Sequence, residues 1–504
     1  MYIREKPNKS GKISVQVIEK RAGEYKLLQT IGCSDDKTKL AELIIAAKNW
    51  IKVKSGICEL DFDNYQQQTL TVLEGIDSLT NVGVELLLGK LFDEIRFNTI
   101  KDHLFRLLVL SRIANPVSKL KTTDYLYKYH GLDIDVQVIY RYLDKLYNKQ
   151  KETVQKISYD HTLKILDEKI KVVFYDVTTM YFEIEAEDEL RKTGFSKEGR
   201  HQNPQIVLGL LVAKNGYPLA YDIFEGNKFE GHTMMPIIDG FKKAYKIDTF
   251  LVVADAGLLS NDNIAALEAN GYEYILGARL KNASERIRQA VLGLRLTEGQ
   301  STVINDESKK NKVVVSYSNS RAKKDAHNRQ RGVEKLQKQI KSGKLTKKQL
   351  TNRGYNKFLE IKNEVEIVLD QDKVKDDAKW DGLKGYITNT VLSKEEVIEN
   401  YGHLWQIEKA FRVAKTDLKV RPMFHRAKRR IEAHICITFA AYKIYKELER
   451  QLILKKSDLS PEKAIDIART IMSIRVLHPI SKEVFSKTLY LKEEQKKLAL
   501  LFNF

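Results

Sequence analysis

A chain of 504 residues exceeds one ordinary domain, so a core with added modules is expected. Hydrophobic residues at 43% and charged residues at 30% exclude a disordered or fibrous chain. The 86 Lys and Arg against 67 Asp and Glu leave a formal charge of +19, which points to a polyanionic partner such as nucleic acid.

Residues 1–60 hold an alternating run, KISVQVIEK, then YKLLQTIG and a helical pattern through AELIIAAKNWI, together a small α+β unit. Residues 61–168 are mainly helical in period. Within them TTDYLYKYHGLDIDVQVIYRYLDKL reads as two helices joined at Gly131. This is either a DNA-binding helix-turn-helix, with Gln137, Tyr140 and Arg141 facing a groove, or an ordinary helical hairpin.

From Lys171 the pattern changes to strands, opening the first part of a core over 169–284: VVFYDV (172–177), QIVLGLLVA (205–213) and YPLAYDIF (217–224), the last two separated by the turn signal Lys214-Asn215-Gly216. A helix over 234–246, the apolar strand TFLVVAD (249–255), the helix NDNIAALEAN (261–270) and the strand YEYILGAR (272–279) follow. Three strands, helix, strand, helix, strand is the element order of a ribonuclease-H-like α/β core. A Lys-rich, weakly periodic segment, 285–378, with KSGKLTKKQL and the strand-like VEIVLD, reads as an insertion. The second part of the core, 379–445, holds the strand DGLKGYITN and one long helix from Ser393, with Glu396 in a capping box, to about Leu418. From RAKRR (426–430) onward, through the tail 446–504, the chain is expected to be helical to the end.

The start MYIREKPNKS lacks a signal-peptide core and no apolar run nears the ~18 residues of a bilayer span, so a membrane role is set aside. Cys33, Cys58 and Cys436 are far apart and without CxxC spacing, which argues against disulfides and zinc and for a reducing cytoplasm.

Phosphodiester cleavage assisted by two cations needs carboxylates converging from different elements. Asp176 ends the apolar run VVFYD and Asp255 ends LVVAD. In the expected fold those strands are neighbours, which brings both acids to one sheet edge. A strand-end Asp is as often a turn or cap residue, and Asp222, inside a hairpin strand, and Asp262, after an N-cap, have that structural reading. On the later helix, Tyr401, Leu404, Glu408 and Lys415 fall within roughly a 60° arc at about 100° per residue. Glu408 there is either a metal ligand or a costly buried charge. Tyr401 and Lys415 suit a phosphate. Trp405 suits either an unpaired base or the core. His201 and Gln202 lie in a polar loop that either lines the site or is simply solvated. The Lys-rich segment and RAKRR would position a duplex without reading its sequence.

The chain resembles DDE transposases of bacterial insertion sequences, in the insertion-sequence-four superfamily. Tyr401, Glu408 and Lys415 match that group's signature of Tyr, two residues, Arg, three residues, Glu, six residues, Lys. The Arg position holds Leu404, so an Arg contact there does not carry over; His403, Arg412 or Arg421 is the nearby residue that would compensate. DVTT (176–179), GFSKEGRHQNPQIVLGLL (194–211), FEGN (224–227), VVADAGLLS (252–260) and RIEAHICITFAAY (430–442) resemble the branch with a long insertion before the third acid.

This resemblance implies Asp176, Asp255 and Glu408 as catalytic and metal-binding residues, Mg²⁺ as cofactor with Mn²⁺ able to substitute, and DNA contacts at Tyr401, Lys415, Trp405, Arg412 and Arg141. It implies double-stranded DNA as partner, through terminal inverted repeats and target DNA, and a homodimer on paired ends in the bacterial cytoplasm, nucleoid-associated when bound. A ribonuclease-H-like nuclease or resolvase that cuts without joining, a DNA-binding protein whose acids are structural, and a decayed transposase copy are the competing readings.

Overall fold

The computed structural model describes residues 1–504 except 22, 57–64, 147–149, 167–169, 185, 197–198, 306–309, 344, 346–350, 352–353, 363–365 and 479–480. Cys58 and most of KSGKLTKKQL therefore lie outside the described residues. The chain divides into two compact units, one of residues 1–77 with 476–485, the other of residues 78–475 with 486–504.

In the smaller unit, β1 (Tyr2–Pro7), β2 (Ile13–Arg21) and β3 (Glu24–Ser34) form an antiparallel sheet in that order. Helix α1 (Lys37–Lys54) starts at Asp36, whose carboxylate accepts the Thr38 amide at 2.9 Å and so satisfies one free donor of the first turn. Val15 and Val17 on the sheet bury against Leu40 and Ala47 of the helix.

The larger unit begins with helices, among them α2 (His103–Ala114), α3 (Lys119–His130), α4 (Val136–Leu146) and α5 (Lys151–Ile165). Gly131, with φ of 65°, ends α3 in the left-handed conformation that lets the chain turn into α4. A mixed eight-stranded sheet follows. Its strands are β4 (Val172–Tyr181), β5 (Gln205–Ala213), β6 (Pro218–Glu225), β7 (Leu251–Ala254), β8 (Glu273–Ala278), β9 (Ser301–Asn305), β10 (Lys312–Tyr317) and, after the small hairpin β11 (Leu359–Lys362) and β12 (Glu366–Leu369), β13 (Leu383–Thr388). They lie in the order β9-β10-β13-β8-β7-β4-β5-β6. β4, β7 and β8 run parallel; the other neighbouring pairs are antiparallel.

Side chains alternate across a strand, and this divides the apolar residues between two layers. Val173, Tyr175, Val252, Ala254, Tyr274 and Leu276 pack on one face against α6 (Met234–Tyr245) and α7 (Asn261–Ala269). Phe174, Leu251, Val253, Ile275 and Tyr386 pack on the other against α2, α4 and the later helices. Burial on both faces explains the near-continuous apolar run of β5, all nine residues of which are buried.

Three sequence expectations change. First, within 285–378 the runs STVIN and KVVVSY are β9 and β10, and Lys312–Tyr317 pairs with Leu383–Thr388 in a regular antiparallel register. The segment thus adds strands to the main sheet, besides the long helix α8 (Asn319–Lys341) and α9 (Gln371–Ala378). Second, the expected helix from Ser393 to Leu418 is two helices, α10 (Lys394–Gly402) and α11 (Trp405–Thr416). Between them the amides of His403, Leu404, Gln406 and Ile407 bond carbonyls three residues back, which tightens the turn and resets the angular phase. The Ser393–Glu396 capping box at the start of α10 is present. Third, the tail is not helical throughout. After α12 (Lys428–Leu454) and α13 (Pro461–Ala468), the alternating runs MSIRVL and VFSKTL are strands, Met472–Leu477 and Val484–Leu489, before a last helix, Glu493–Phe502. Their alternation has the period of a strand.

Helix α12 is buried from Ala433 to Leu448 without a gap, as a helix enclosed on all sides must be. Its Lys443 is fully buried and donates to the Ser158 carbonyl at 3.1 Å and to the Thr162 hydroxyl. Among the described residues no helix is long and apolar enough to cross a membrane.

Candidate active site

In the parallel register of β4 and β7, Tyr175 faces Ala254. The next residues, Asp176 and Asp255, follow directly on that last paired position, which brings them to neighbouring places on the two chains. Asp176 is not at the end of its strand: β4 continues to Tyr181 and pairs Asp176 with Leu210 on β5. What ends there is the pairing with β7. By alternation, both aspartates share the sheet face of Phe174 and Val253, the face that α11 covers through Ile407, Ala410 and Phe411. Glu408 sits on α11, so all three acids belong to one side of the sheet.

Local hydrogen bonds fix the pair. The Asp255 carboxylate accepts the Gly257 amide at 2.6 Å and caps a short turn; that of Asp176 accepts the Val177 amide at 2.7 Å. Both side chains are half-buried, whereas Glu408 is exposed. The choice between a ligand and a costly buried charge therefore does not arise for Glu408. The tightened turn before α11 is the reason, because it turns Glu408 out while Tyr401 and Leu404 remain in the core.

Tyr401 joins the acids to the far half of the sheet. Its ring meets the Tyr386 ring edge-on at 4.8 Å between centroids. Burial raises its phenol pKa, and the charges of Asp255 and Glu408 add to the shift. The Lys384 ammonium lies 4.5 Å from the Tyr401 ring centre and 5.4 Å from that of Tyr386. Burial lowers the Lys384 pKa and Arg321 adds to this, while Glu408 opposes it. Arg279 donates to the carbonyls of Ala256 at 2.8 Å and Gly257 at 3.2 Å, bracing the turn that carries Asp255. Lys384, Arg279 and Arg321 escaped the sequence reading. The run KGYIT does place Lys384 and Tyr386 two apart, hence on one face, but only the sheet order brings that face to Tyr401.

The other sequence candidates are dispersed. Trp405 is 51% exposed, so it is not a core residue. Arg412 and Arg141 are exposed and Lys415 is half-buried. Tyr401 is buried, with its hydroxyl toward Gly277 and not toward solvent. In RAKRR, Arg429 and Arg430 both bond Asp144 of α4, and Arg430 also covers the Tyr140 ring. Their hydrogen bonds hold the Asp144 carboxyl down at about 2. Asp222 pairs with Lys151 at 2.7 Å, and Asp262 lies in the first turn of α7 after the Ser260 cap. His201 and Gln202 are exposed, and the His201 ring accepts the Ser196 amide at 3.3 Å.

Among the described residues no three Asp, Glu, His or Cys side chains form a ready-made metal cluster. The donors offered are a preset pair of carboxylates and a third on a helix over the same face. This all-oxygen set suits a hard divalent cation, which keeps several waters and needs few protein ligands.

A family model described as transposase DDE domain matches residues 167–444. No curated protein matches the chain. Among solved structures, the chain is similar to a piggyBac transposase synaptic complex with hairpin DNA, at 9% identity over 80% of this chain and 79% of that one, with a TM-score of 0.37. It is also similar to a Mos1 transposase paired-end complex with the left transposon end, at 11% identity, covering 34% of this chain and 56% of that one, TM-score 0.16.

Proposed function

This chain belongs to the transposase DDE domain family, and on that premise we propose that Asp176, Asp255 and Glu408 are the acidic triad with which it cuts and joins DNA. The observation that supports the assignment is the β4–β7 register, whose last pair, Tyr175 and Ala254, immediately precedes the two aspartates, on the face that α11 covers. The order β8-β7-β4-β5-β6 with α6 and α7 supports a ribonuclease-H-like core, with 285–378 as its insertion.

Asp176 and Asp255 would hold a divalent cation, Mg²⁺ or Mn²⁺ in its place, and Glu408 would complete the set. Bound there, the ion supplies Lewis-acid stabilisation of the charge that builds on the phosphate oxygens. The protein's own part is positional. The strands fix the aspartates, Arg279 braces the Asp255 turn, and exposed Glu408 meets the DNA as it arrives. Water attacks the phosphodiester at the element end and releases a 3′-OH, which then attacks target DNA and expels a second 3′-OH. Exposed Trp405 and Arg412, with Lys415, would line the path of the strand, and Arg141 on the outer face of α4 would contact the terminal repeat. Joining two ends calls for two sites, hence a homodimer on paired ends. The insertion-sequence-four group and a bacterial cytoplasmic setting follow from the sequence resemblance.

The test is cleavage and joining in Mg²⁺ of duplexes carrying the ends of the DNA element that encodes the chain, with Glu408→Gln beside wild type. Loss of both reactions with DNA binding retained is expected. Unchanged activity would remove Glu408 from the triad, and cleavage without joining would make the protein a nuclease.

A further inference from the structure

Beside the proposed triad, a cleft of about 520 Å³ opens between the ends of β8 and β13 and the first turns of α8. Its wall carries several cations, but most are already neutralised. Lys281 meets Asp377 at 2.6 Å, Arg329 meets Asp381 at 2.5 Å, and Arg321 meets Asp325 at 3.5 Å. Lys384 differs from them. Its ammonium is half-buried over two tyrosine rings and makes no hydrogen bond or ion pair among the described residues. Among the described residues Arg279, next to it on the wall, bonds backbone carbonyls and no carboxylate.

A half-buried ammonium without an ion-pair partner loses hydration that ring faces and the more distant Glu408 charge repay only in part. The cost is recovered when an anion arrives. Asp255 and Glu408 repel an anion, so the partner must be one drawn to the site for another reason. On the reading of the site given above, that anion is the DNA backbone. We propose that Lys384, seated on Tyr401 and Tyr386, binds a DNA phosphate neighbouring the one that the triad cleaves, with Arg279 beside it, and that the cleft is the track of that strand. The two rings hold the ammonium in place, so little side-chain freedom is lost on binding.

The test compares wild type, Lys384→Met and Lys384→Arg on duplexes carrying the element ends, measuring binding across a salt series, cleavage KM and kcat, and the melting temperature. One lost phosphate contact should make the slope of log K against log salt shallower by about 0.9. Lys384→Met is expected to show that change and a roughly tenfold higher KM, on the scale of one charge-assisted contact. Lys384→Arg, which keeps the charge and the ring contact, should restore both. A purely structural lysine would instead lower the melting temperature and leave the salt slope unchanged, and that result would overturn the proposal. Wild-type slope and KM in Lys384→Met would overturn it too, while cleavage lost in Glu408→Gln would leave the triad standing. A wild-type protein that neither binds nor cleaves these ends would overturn both.

Discussion

A Cβ added to Gly277 would lie 2.5 Å from the Tyr401 hydroxyl, so these two residues share a single space beside Asp255. The same Cβ would meet the Ala256 amide nitrogen at 2.9 Å. The Tyr401 ring is already packed against Tyr386 and Lys384, and the nearer Ala256 contact is to backbone. Gly277→Ala should therefore displace the Asp255 turn, cost about 1–3 kcal/mol of stability, and reduce cleavage more than a stability loss of that size explains. Gly240→Ala on α6, where a Cβ meets nothing within 4 Å, is the control and should leave both unchanged or slightly raise stability. Thermal melts and cleavage rates on the two variants decide it.

Asp255 has two duties that substitution can separate. Asn keeps the oxygen that accepts the Gly257 amide and removes the charge. Asp255→Asn should melt close to wild type and be inactive. Asp255→Ala should be inactive and also lose about 1 kcal/mol, the usual worth of a cap. Equal melting temperatures for the two would remove the capping role, and an active Asn variant would remove Asp255 from the triad.

Leu404 occupies the place of an arginine in the signature that the chain resembles, and it is 6% exposed in the core beneath α11. Restoring the arginine should not improve the enzyme. Leu404→Arg places a charge in an apolar core and is expected to cost on the order of 3 kcal/mol, read as a lower denaturant midpoint. A stable, more active variant would show that the turn between α10 and α11 can rotate.

Stability should fall on mild acidification. Burial, with Lys443, Arg450 and Lys164 nearby, lowers the His161 pKa to about 3. Burial with Lys119, Arg112 and Arg430 does the same to His425, also to about 3. Unfolded histidine titrates near pH ~6.5, so below that pH the unfolded chain binds protons that the native chain refuses. Each such histidine then subtracts up to about 1.4 kcal/mol per pH unit until its native pKa is reached. Denaturant midpoints from pH 7.5 to 5 should decline, and less steeply in His425→Asn. A flat profile would contradict the burial of these rings.

Local periodicity made much of the larger unit legible. The alternation and apolar runs of VVFYDV, QIVLGLLVA, LVVAD and YEYILGAR located four strands of the main sheet, because a half-buried or buried strand must display its period in the chain itself. The same runs place Asp176 and Asp255 at neighbouring positions once the strands are taken as parallel partners. The Ser393–Glu396 cap was equally plain, since both halves lie within one turn.

What tertiary structure decided were the features set by distant partners. STVIN and KVVVSY are β-branched runs with a strand signal of their own, masked by the Lys-rich residues around them, and only tertiary structure pairs Lys312–Tyr317 with Leu383–Thr388 some seventy residues on. The break at His403 and the exposure of Glu408 follow from packing Tyr401 and Leu404 into a core drawn from several helices, which a straight-helix projection cannot contain. Lys384 meets Tyr401 only because β13 lies beside β8. Sequence determines which residues can share a face, and the long-range pairing of strands determines which faces meet.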